Sequence, residues 1–353
     1  MSESSTKSNL RPLTIAGAPR FHAMFGVGGI GAGSFFLLNG NHSLGREESR
    51  GGRYLDRRDY CKLHIISHYV KALMGPRFAV IPIGKVGDDD VGRRLLSEMG
   101  AAGLDTRFVT VSKGHATLFS FCYVYPDGSG GNMTTDDSAC SHVAPASVRA
   151  AARTMAPYAG RGIALAVPEV PLPARAELLR QASRLGFFRV AAFTSAEMKQ
   201  VIRGKLLRSV DLLAINLDEA ASAAGGRGSP DSIVTAALAR LRRLNPGMLV
   251  SITAGRRGSW CWDGKRLVQQ PAFRVKVAST AGAGDAHLAG LIAGLTTGLT
   301  PPEAQQLAGL VAALSVTSPH TIHDGIARDS LRAFAASCGA TLCEPVKRLM
   351  SGG

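Results

Sequence analysis

From residue 162 to residue 253 the chain alternates short apolar runs with amphipathic ones, and this rhythm constrains its fold more than any other feature. Residues 162–167, 190–193, 212–215 and 249–253 read as buried strands, while residues 173–185 and 232–244 read as helices. Strands joined by helical crossovers pair in parallel, and the helices then cover the sheet. The same alternation starts upstream, with a strand at 21–25, another at 78–83 and a helix at 90–99. Asp59 is placed to cap a helix carrying Leu63, Ile66, Val70 and Leu73 on its apolar side, which stops at Gly75-Pro76. Residues 39–59 are polar and charged. Residues 117–125 are rich in β-formers and run into Pro126-Asp127-Gly128, the pattern of an exposed hairpin or flap. Residues 1–20, polar and punctuated by Pro12 and Pro19, read as a flexible tail before one α/β domain over residues 21–350.

Composition narrows the function. With 353 residues, 45% of them hydrophobic, the chain can bury a large core and is not disordered. A formal net charge of +15 favours anionic ligands such as nucleotides and phosphorylated metabolites. The basic residues come in ones and twos without aromatic interleaving, so no nucleic-acid partner is expected. Six scattered cysteines without a C-x-x-C pair fit a reducing, cytoplasmic setting. No apolar signal region or run of 18 apolar residues is present, so neither export nor a membrane span is expected.

The segment Ser279-Thr280-Ala281-Gly282-Ala283-Gly284-Asp285 opens a helix with small residues. Backbone N–H groups of Gly282, Ala283 and Gly284 can converge there, where the positive end of the helix dipole favours a phosphate. Asp285, in the first turn, is then within reach of a hydroxyl facing that phosphate and can act as general base. Read locally, the same residues also describe an ordinary helix start with glycines for close packing. Thr253, Gly255 and Gly258 form a second glycine turn at a strand end, a position where open α/β sheets bind ligands. Asn216, Asp218 and Glu219 follow an apolar strand and suit a hard cation or its waters, or, equally, an acid-rich helix start. Gly26-x-Gly28-x-x-Gly31 fits a dinucleotide fingerprint, yet Asn39-Gly40-Asn41 interrupts the helix such a unit requires. His64 and His68 have zinc-binding spacing but read as a structural pair, His287 as a packing residue, and Cys140-Ser141-His142 not as a nucleophile pair.

These segments, in this order, resemble the ribokinase-like (PfkB) family of carbohydrate kinases over roughly residues 21–340. The resemblance rests on N-x-x-E (Asn216, Glu219), T-x-G-x-x-G (Thr253, Gly255, Gly258) and G-A-G-D (Gly282 to Asp285). Upstream, Ile83-Gly84-Lys85-Val86-Gly87-Asp88-Asp89, Gly92 and Gly103-Leu104-Asp105 look like the family's strand, G-x-D turn and helix. The resemblance implies a three-layer α/β/α core with a mostly parallel sheet and a small β-sheet lid, here from approximately residues 26–45 and 106–135. It implies ATP-dependent phosphorylation of an alcohol on a sugar, a nucleoside or a related small molecule, with ATP and Mg²⁺ as cofactors and a homodimer formed through the lid. Asp285 would be the general base and the Gly282, Ala283 and Gly284 amides the anion hole. Asn216 and Glu219 would organise the metal, and Thr253, Gly255, Gly258 and Asn216 would line the nucleotide site.

Three departures bear on substrate and cofactor. Ser279 stands where members commonly carry an Asp associated with a monovalent cation, so potassium is not among the expected cofactors. The first strand of such kinases leads to an Asp that grips acceptor hydroxyls, whereas residues 31–36 hold no carboxylate. A G-G-x-x-x-N element is expected before the next helix, but Gly51-Gly52 is followed by Arg53-Tyr54-Leu55-Asp56. The substrate-side candidates are therefore Gly51, Gly52 and Ser34, and the acceptor departs from an ordinary hexose or pentose. Arg46, Glu47, Glu48, Arg50, Asp56, Asp59, Asn132, Asp136 and Asp137 are further polar candidates, and Tyr123 and Tyr125 can stack on a ring. Two alternatives stand beside the kinase: an inactive kinase-fold regulator that binds nucleotide or metabolite, and an NAD(P)-dependent oxidoreductase. An Asp285 locked into an internal ion pair would lose the role of base.

Overall fold

The computed structural model describes residues 10–127 and 129–352, and the strands of those residues fall into two sheets. In chain order they are β1 (Ala23–Val27), β2 (Gly31–Leu38), β3 (Gly52–Tyr60), β4 (Ala79–Gly87), β5 (Phe108–Ser112), β6 (Leu118–Val124) and β7 (Gly130–Thr134). β8 (Gly162–Ala166), β9 (Phe188–Ala191), β10 (Leu212–Asn216), β11 (Leu249–Thr253), β12 (Ser259–Trp262) and β13 (Leu267–Gln270) follow. The large sheet runs β13-β12-β11-β10-β9-β8-β1-β4-β5 and is parallel except for β12 and β13. The small sheet runs β3-β2-β6-β7, with only the β2/β6 pair parallel.

The central strand shows why the large sheet is covered on both sides. All five residues of β1 are buried, and alternate side chains enter different cores: Met24 one, Ala23, Phe25 and Val27 the other. The Met24 core is closed by helices α1 (Lys62–Met74), here through Leu63, Ile66, Val70 and Leu73, and by a helix pair near the C-terminus. On the other face lie α3 (Leu172–Arg184), α4 (Leu217–Ala224) and α5 (Pro230–Leu244), which follow α2 (Asp90–Ala101) in the chain. The C-terminal pair is α6 (Ala283–Thr296), buried throughout from Ala286 to Thr296, and α7 (Pro301–Ser315), packed against it. A helix apolar all round belongs between other elements rather than at the surface. The three layers and the mostly parallel sheet match the expected fold class.

Four details differ from expectation. The chain is ordered before Phe21: Leu13 is buried, its amide donates to the Leu73 carbonyl, and Arg20 N–H donates to Thr296 O. Residues 1–9 of the expected tail, and Gly128 of the expected turn, lie outside the described residues. The small sheet is built from β2, β3, β6 and β7, whereas β5, inside the expected lid segments, and the last two residues of β1 belong to the large sheet. β3 arises from the charged stretch that carried no strand pattern, because an edge strand of a half-exposed lid has no apolar face to alternate: its first three residues are exposed and only Asp59 and Tyr60 are buried. Asp59 consequently does not cap α1; it pairs with Gly33 across β2, and Cys61 takes the N-cap position. Among the described residues no helix is long and apolar enough to cross a membrane.

Candidate active site

From β1 the chain extends the large sheet one way through β4 and β5, then returns beside β1 and extends it the other way from β8 to β11. In open α/β sheets ligands bind beyond the carboxyl ends of strands at such a reversal, here β1 and β8. Past β8, Glu169 adopts a left-handed backbone, φ 74°, uncommon for a residue with a side chain. Its Oε2 accepts the Lys62 amide at 3.2 Å, while Gly29, beyond β1, donates its amide to Pro168 O at 3.1 Å. Lys62, the first residue of α1, extends its ammonium to 3.6 Å from Asp285 Oδ1. The switch point thus gathers Glu169, Lys62 and Asp285 from three segments.

Asp285 stands in the first turn of α6, behind Gly282 at the N-cap with φ 76°. A side chain is barred at Gly282 twice over, by that backbone region and by the Thr321 carbonyl, 2.7 Å from where a Cβ would lie. Thr321 in turn receives the Tyr60 amide on Oγ1 at 3.0 Å and gives its own amide to Arg58 O at 3.1 Å, which ties β3 of the lid to the turn beneath Gly282. First-turn amides of a helix lack partners within it. Of those here, Ala283 N–H reaches Thr280 O at 3.3 Å, and Gly284 is exposed with open space around its Cα. Ser279 is buried, its Oγ accepting the Ala281 amide at 3.3 Å.

Burial and charge act in opposition on this cluster. Burial raises the Asp285 carboxyl above its ordinary value, and Lys62 pulls it back down. Asp285 in turn holds the Lys62 ammonium more firmly protonated. Glu169 is pushed up to about 7, mostly by burial, again opposed by Lys62. Lys62 and Asp285 thus form an ion pair at 3.6 Å, longer than the 2.7–3.2 Å of an N–H···O bond, the kind of internal contact named above as weighing against Asp285 as base.

The nucleotide-side candidates lie at adjacent strand ends, Asn216 opposite Thr253 in the β10/β11 register. Asn216 and Glu219 form a reciprocal cap on α4: Asn216 Oδ1 accepts Glu219 N–H at 2.9 Å and Glu219 Oε2 accepts Asn216 N–H at 2.8 Å. The acid-rich helix start read from the sequence is therefore present. Glu219 also lies within the field of Lys62 and Asp285, and burial raises its carboxyl. Gly255 begins a single turn after β11 and borders open space, whereas Gly258, φ 86°, packs against Gln270 and Ala272 of the following strand end. Among the described residues no group of three or more His, Cys, Asp or Glu could hold a metal by itself.

The substrate-side candidates are dispersed. Gly52 pairs with Leu38 at the end of β3 away from Asp59, and Gly51 is exposed just before it. Seven residue steps along β3 correspond to roughly 23 Å. Ser34 Oγ is bonded to the Tyr54 hydroxyl at 2.6 Å. Glu48 is occupied by Arg50 at 2.6 Å, His42 and the Gly45 amide; Arg46, Glu47, Asp56, Asp136 and Asp137 are exposed, and Asn132 donates to Ser120 Oγ at 3.0 Å. Tyr123 and Tyr125 pack edge to face, 5.7 Å apart. Of these, Asp59 and Ser34 are buried, Asp59 with Oδ2 in the space a Cβ on Gly33 would need. Lys62, Glu169 and Thr321 were not singled out from sequence. For Glu169 a signal existed, an acid between Pro168 and Pro171 directly after a buried strand, the same placement that drew attention to Asn216.

The remaining motifs are structural. The glycines after β1 lead into β2, not a helix, so the dinucleotide fingerprint lacks its helix and the oxidoreductase alternative falls. His64 is buried beside Tyr60 and His68, its pKa lowered to about 3 by burial. His287 packs against Ser259 Oγ at 3.3 Å, and Cys140, its thiol pushed up to about 12, contacts the Ile30 and Lys85 carbonyls. The G-x-D turn has a mechanical role: Asp89 caps α2 through Gly92 N–H at 2.7 Å and holds the Thr117 amide and hydroxyl at 2.7 and 2.6 Å, fixing the start of β6.

Comparison with known proteins agrees with this architecture. A ribokinase of Arabidopsis thaliana, solved with ribose and ATP, superposes with TM-score 0.68 at 19% identity, covering 90% of this chain and 99% of that one. A nucleoside kinase of Burkholderia thailandensis, in complex with inosine, gives TM-score 0.70 at 18% identity, covering 90% and 98%. Fructoselysine 6-kinase of Shigella flexneri is 37% identical over 67 residues, 19% of this chain, and the match spans 26% of that relative's length. The family model described as pfkB family carbohydrate kinase matches residues 70–327, well over half of the sequence. With that match laid over most of the α/β/α core and the α6 turn, the chain belongs to the pfkB family of carbohydrate kinases.

Proposed function

We propose that this carbohydrate kinase transfers the terminal phosphoryl group of ATP to an alcohol of a sugar or nucleoside, with Asp285 as general base and the amides of Gly282, Ala283 and Gly284 as the anion hole. The observation that carries the reading is a helix N-terminus begun at Gly282 with Asp285, a largely buried carboxylate, in its first turn and Lys62 3.6 Å from it. Phosphoryl transfer asks the protein mainly for positioning and electrostatic stabilisation. The α6 amides would hold the charge on the transferring group, and Asp285 would take the proton of the attacking hydroxyl. Lys62, 3.6 Å from Asp285, opposes the burial that raises that carboxyl and can neutralise charge as the phosphoryl group arrives. Thr253, Gly255 and Gly258 would border the nucleotide.

Mg²⁺ suits this chain only as an ion carried chiefly by the nucleotide's phosphates, since that ion is commonly held by one or two carboxylates plus phosphate. Asn216 Oδ1 and Glu219 Oε2 are both taken by the α4 cap, leaving Glu219 Oε1 as the contact for the metal or its water. Such an ion would neutralise charge on the phosphate oxygens.

The test is ATP consumption with ribose, inosine and fructoselysine as separate acceptors. The expected result is a phosphorylated product from at least one, lost in Asp285→Asn. ATP binding without product from any of them would favour the regulator reading instead.

A further inference from the structure

β3 is an edge of the small sheet, and at residues 58–60 its backbone is met not by another strand but by the irregular segment after α7. Arg58 N–H donates to His320 Nδ1 at 2.9 Å, Thr321 N–H donates to Arg58 O at 3.1 Å, and Tyr60 N–H donates to Thr321 Oγ1 at 3.0 Å. The Thr321 hydroxyl also lies 3.4 Å from Arg58 O, so one hydroxyl accepts from one residue of the strand and donates to another. Thr321 is 2% exposed, and a buried amide such as that of Tyr60 is costly to leave without its acceptor. On its other side Thr321 is the support of the α6 turn. Its carbonyl oxygen, Cβ and Cα lie 2.7, 3.1 and 3.3 Å from where a Cβ on Gly282 would stand, so Gly282 rests on Thr321 with no side chain of its own between them. The Tyr69 hydroxyl, from α1, accepts the His323 amide at 2.8 Å and lies 3.5 Å from the Thr321 carbonyl, which holds the segment from a third direction.

We propose that Thr321 is a positioning residue of this kinase: it transmits the seating of β3 to the Gly282 turn, and so sets where the Gly282, Ala283 and Gly284 amides meet the transferring phosphoryl group. The inference rests on the kinase reading and deepens it. Thr321 touches no reacting atom and acts through Gly282. Donors that stabilise a transition state do so only when held in place, and a misplacement of about 1 Å can cost on the order of 10²-fold in rate. Backbone against backbone leaves no flexible side chain to absorb a movement, so a shift of Thr321 with β3 reaches the turn. The Arg58–Asp324 ion pair spans the same junction but is exposed on both partners, and such pairs contribute little. The buried hydroxyl therefore carries the larger share of the link. Thr321→Val keeps nearly the same shape and leaves the carbonyl under Gly282, but it neither accepts from Tyr60 nor donates to Arg58. Thr321→Ser keeps the hydroxyl and both bonds.

The experiment compares wild type, Thr321→Val and Thr321→Ser by steady-state kinetics with ATP and the best of ribose, inosine and fructoselysine, and by amide hydrogen exchange well below the melting temperature of each. The expected result for Thr321→Val is a kcat lowered about tenfold, with KM for ATP and for the acceptor within about threefold and faster exchange at residues 280–286. Thr321→Ser should recover kcat to within about threefold of wild type and slow that exchange again. A Thr321→Val kcat within threefold of wild type overturns the proposal, as does an equal loss in Thr321→Ser. A loss of rate with faster exchange throughout the chain also overturns it, for that is the mark of a residue serving stability alone. If the wild type phosphorylates none of these compounds, the kinase reading fails separately and the link is judged by exchange. Faster exchange in Thr321→Val at residues 280–286 as well as 57–61, reversed in Thr321→Ser, supports it; a change confined to 57–61, or none at either, overturns it.

Discussion

At the end of the site proposed for the nucleotide the groups on offer are mostly backbone, the α6 amides behind Gly282 and the Gly255 turn, beside a side-chain cap in which Asn216 and Glu219 satisfy each other. At the end proposed for the acceptor the groups are side chains, Lys62 and Glu169, each delivered by a different element. Backbone donors cannot change charge, so the first end suits a ligand whose phosphates are constant. The second end consists of titratable groups shifted by burial and by one another, which can be exchanged singly to suit another acceptor.

The largest effect that separates the two ends comes from Asp285, where they meet. Asp285→Asn should lower turnover by about 10³-fold, the loss of a positioned base, while ATP affinity stays within a few-fold. Steady-state kinetics with ATP titration measures both, and retained turnover would remove the base from the mechanism. Lys62→Met comes next. Lys62 lowers a carboxyl that burial raises, so removing it should move the acid limb of the kcat/KM profile to higher pH, with a rate loss on the order of 10²-fold. An unshifted limb would show that the ammonium 3.6 Å from Asp285 does not act on it.

How far each end could be read from the sequence follows from the same contrast. Positive φ at Gly282 and Gly258 and a small-residue entry to α6 leave a mark in consecutive residues, so the turn and its carboxylate were legible. The βα rhythm was legible too, because each buried strand is an apolar run. β3 was not, since an edge strand with an exposed face carries Arg53, Asp56, Arg57 and Arg58 where a pattern would be sought. With β3 unseen, Asp59 appeared as a helix cap and Gly51-Gly52 as a substrate turn. Only the pairing of Asp59 with Gly33, a tertiary fact, reveals that a carboxylate enters beside a strand that has none.

Glu169 gives a stability prediction specific to the acceptor end. The folded chain keeps the Glu169 proton up to about pH 7, whereas in the unfolded chain the group ionises near its ordinary 4.5. The unfolded state therefore binds fewer protons across that window, and stability declines as pH rises through it. Glu169→Gln should abolish that decline and be more stable than wild type by about 1–3 kcal/mol at pH 8, with the difference vanishing below pH ~4.5. Denaturant melts at the two pH values measure it. Equal stability at pH 8 would mean that Lys62 fully compensates the buried charge.

The smallest expected effect tests whether the nucleotide end is as purely structural as its hydrogen bonds suggest. Asn216→Ala removes one half of the α4 cap and should cost about 1 kcal/mol, read as a lower melting temperature. Glu219→Gln leaves an oxygen to accept the Asn216 amide and so keeps the cap, but it removes the charge. If Glu219 serves only α4, that variant should match wild type in turnover at every Mg²⁺ concentration. If its free oxygen also meets the metal, the variant should keep its melting temperature yet need several-fold more Mg²⁺ for half-maximal rate. The second outcome is the one expected, because burial raises the Glu219 carboxyl and Lys62 and Asp285 both lie within its field, a setting a helix cap alone does not require.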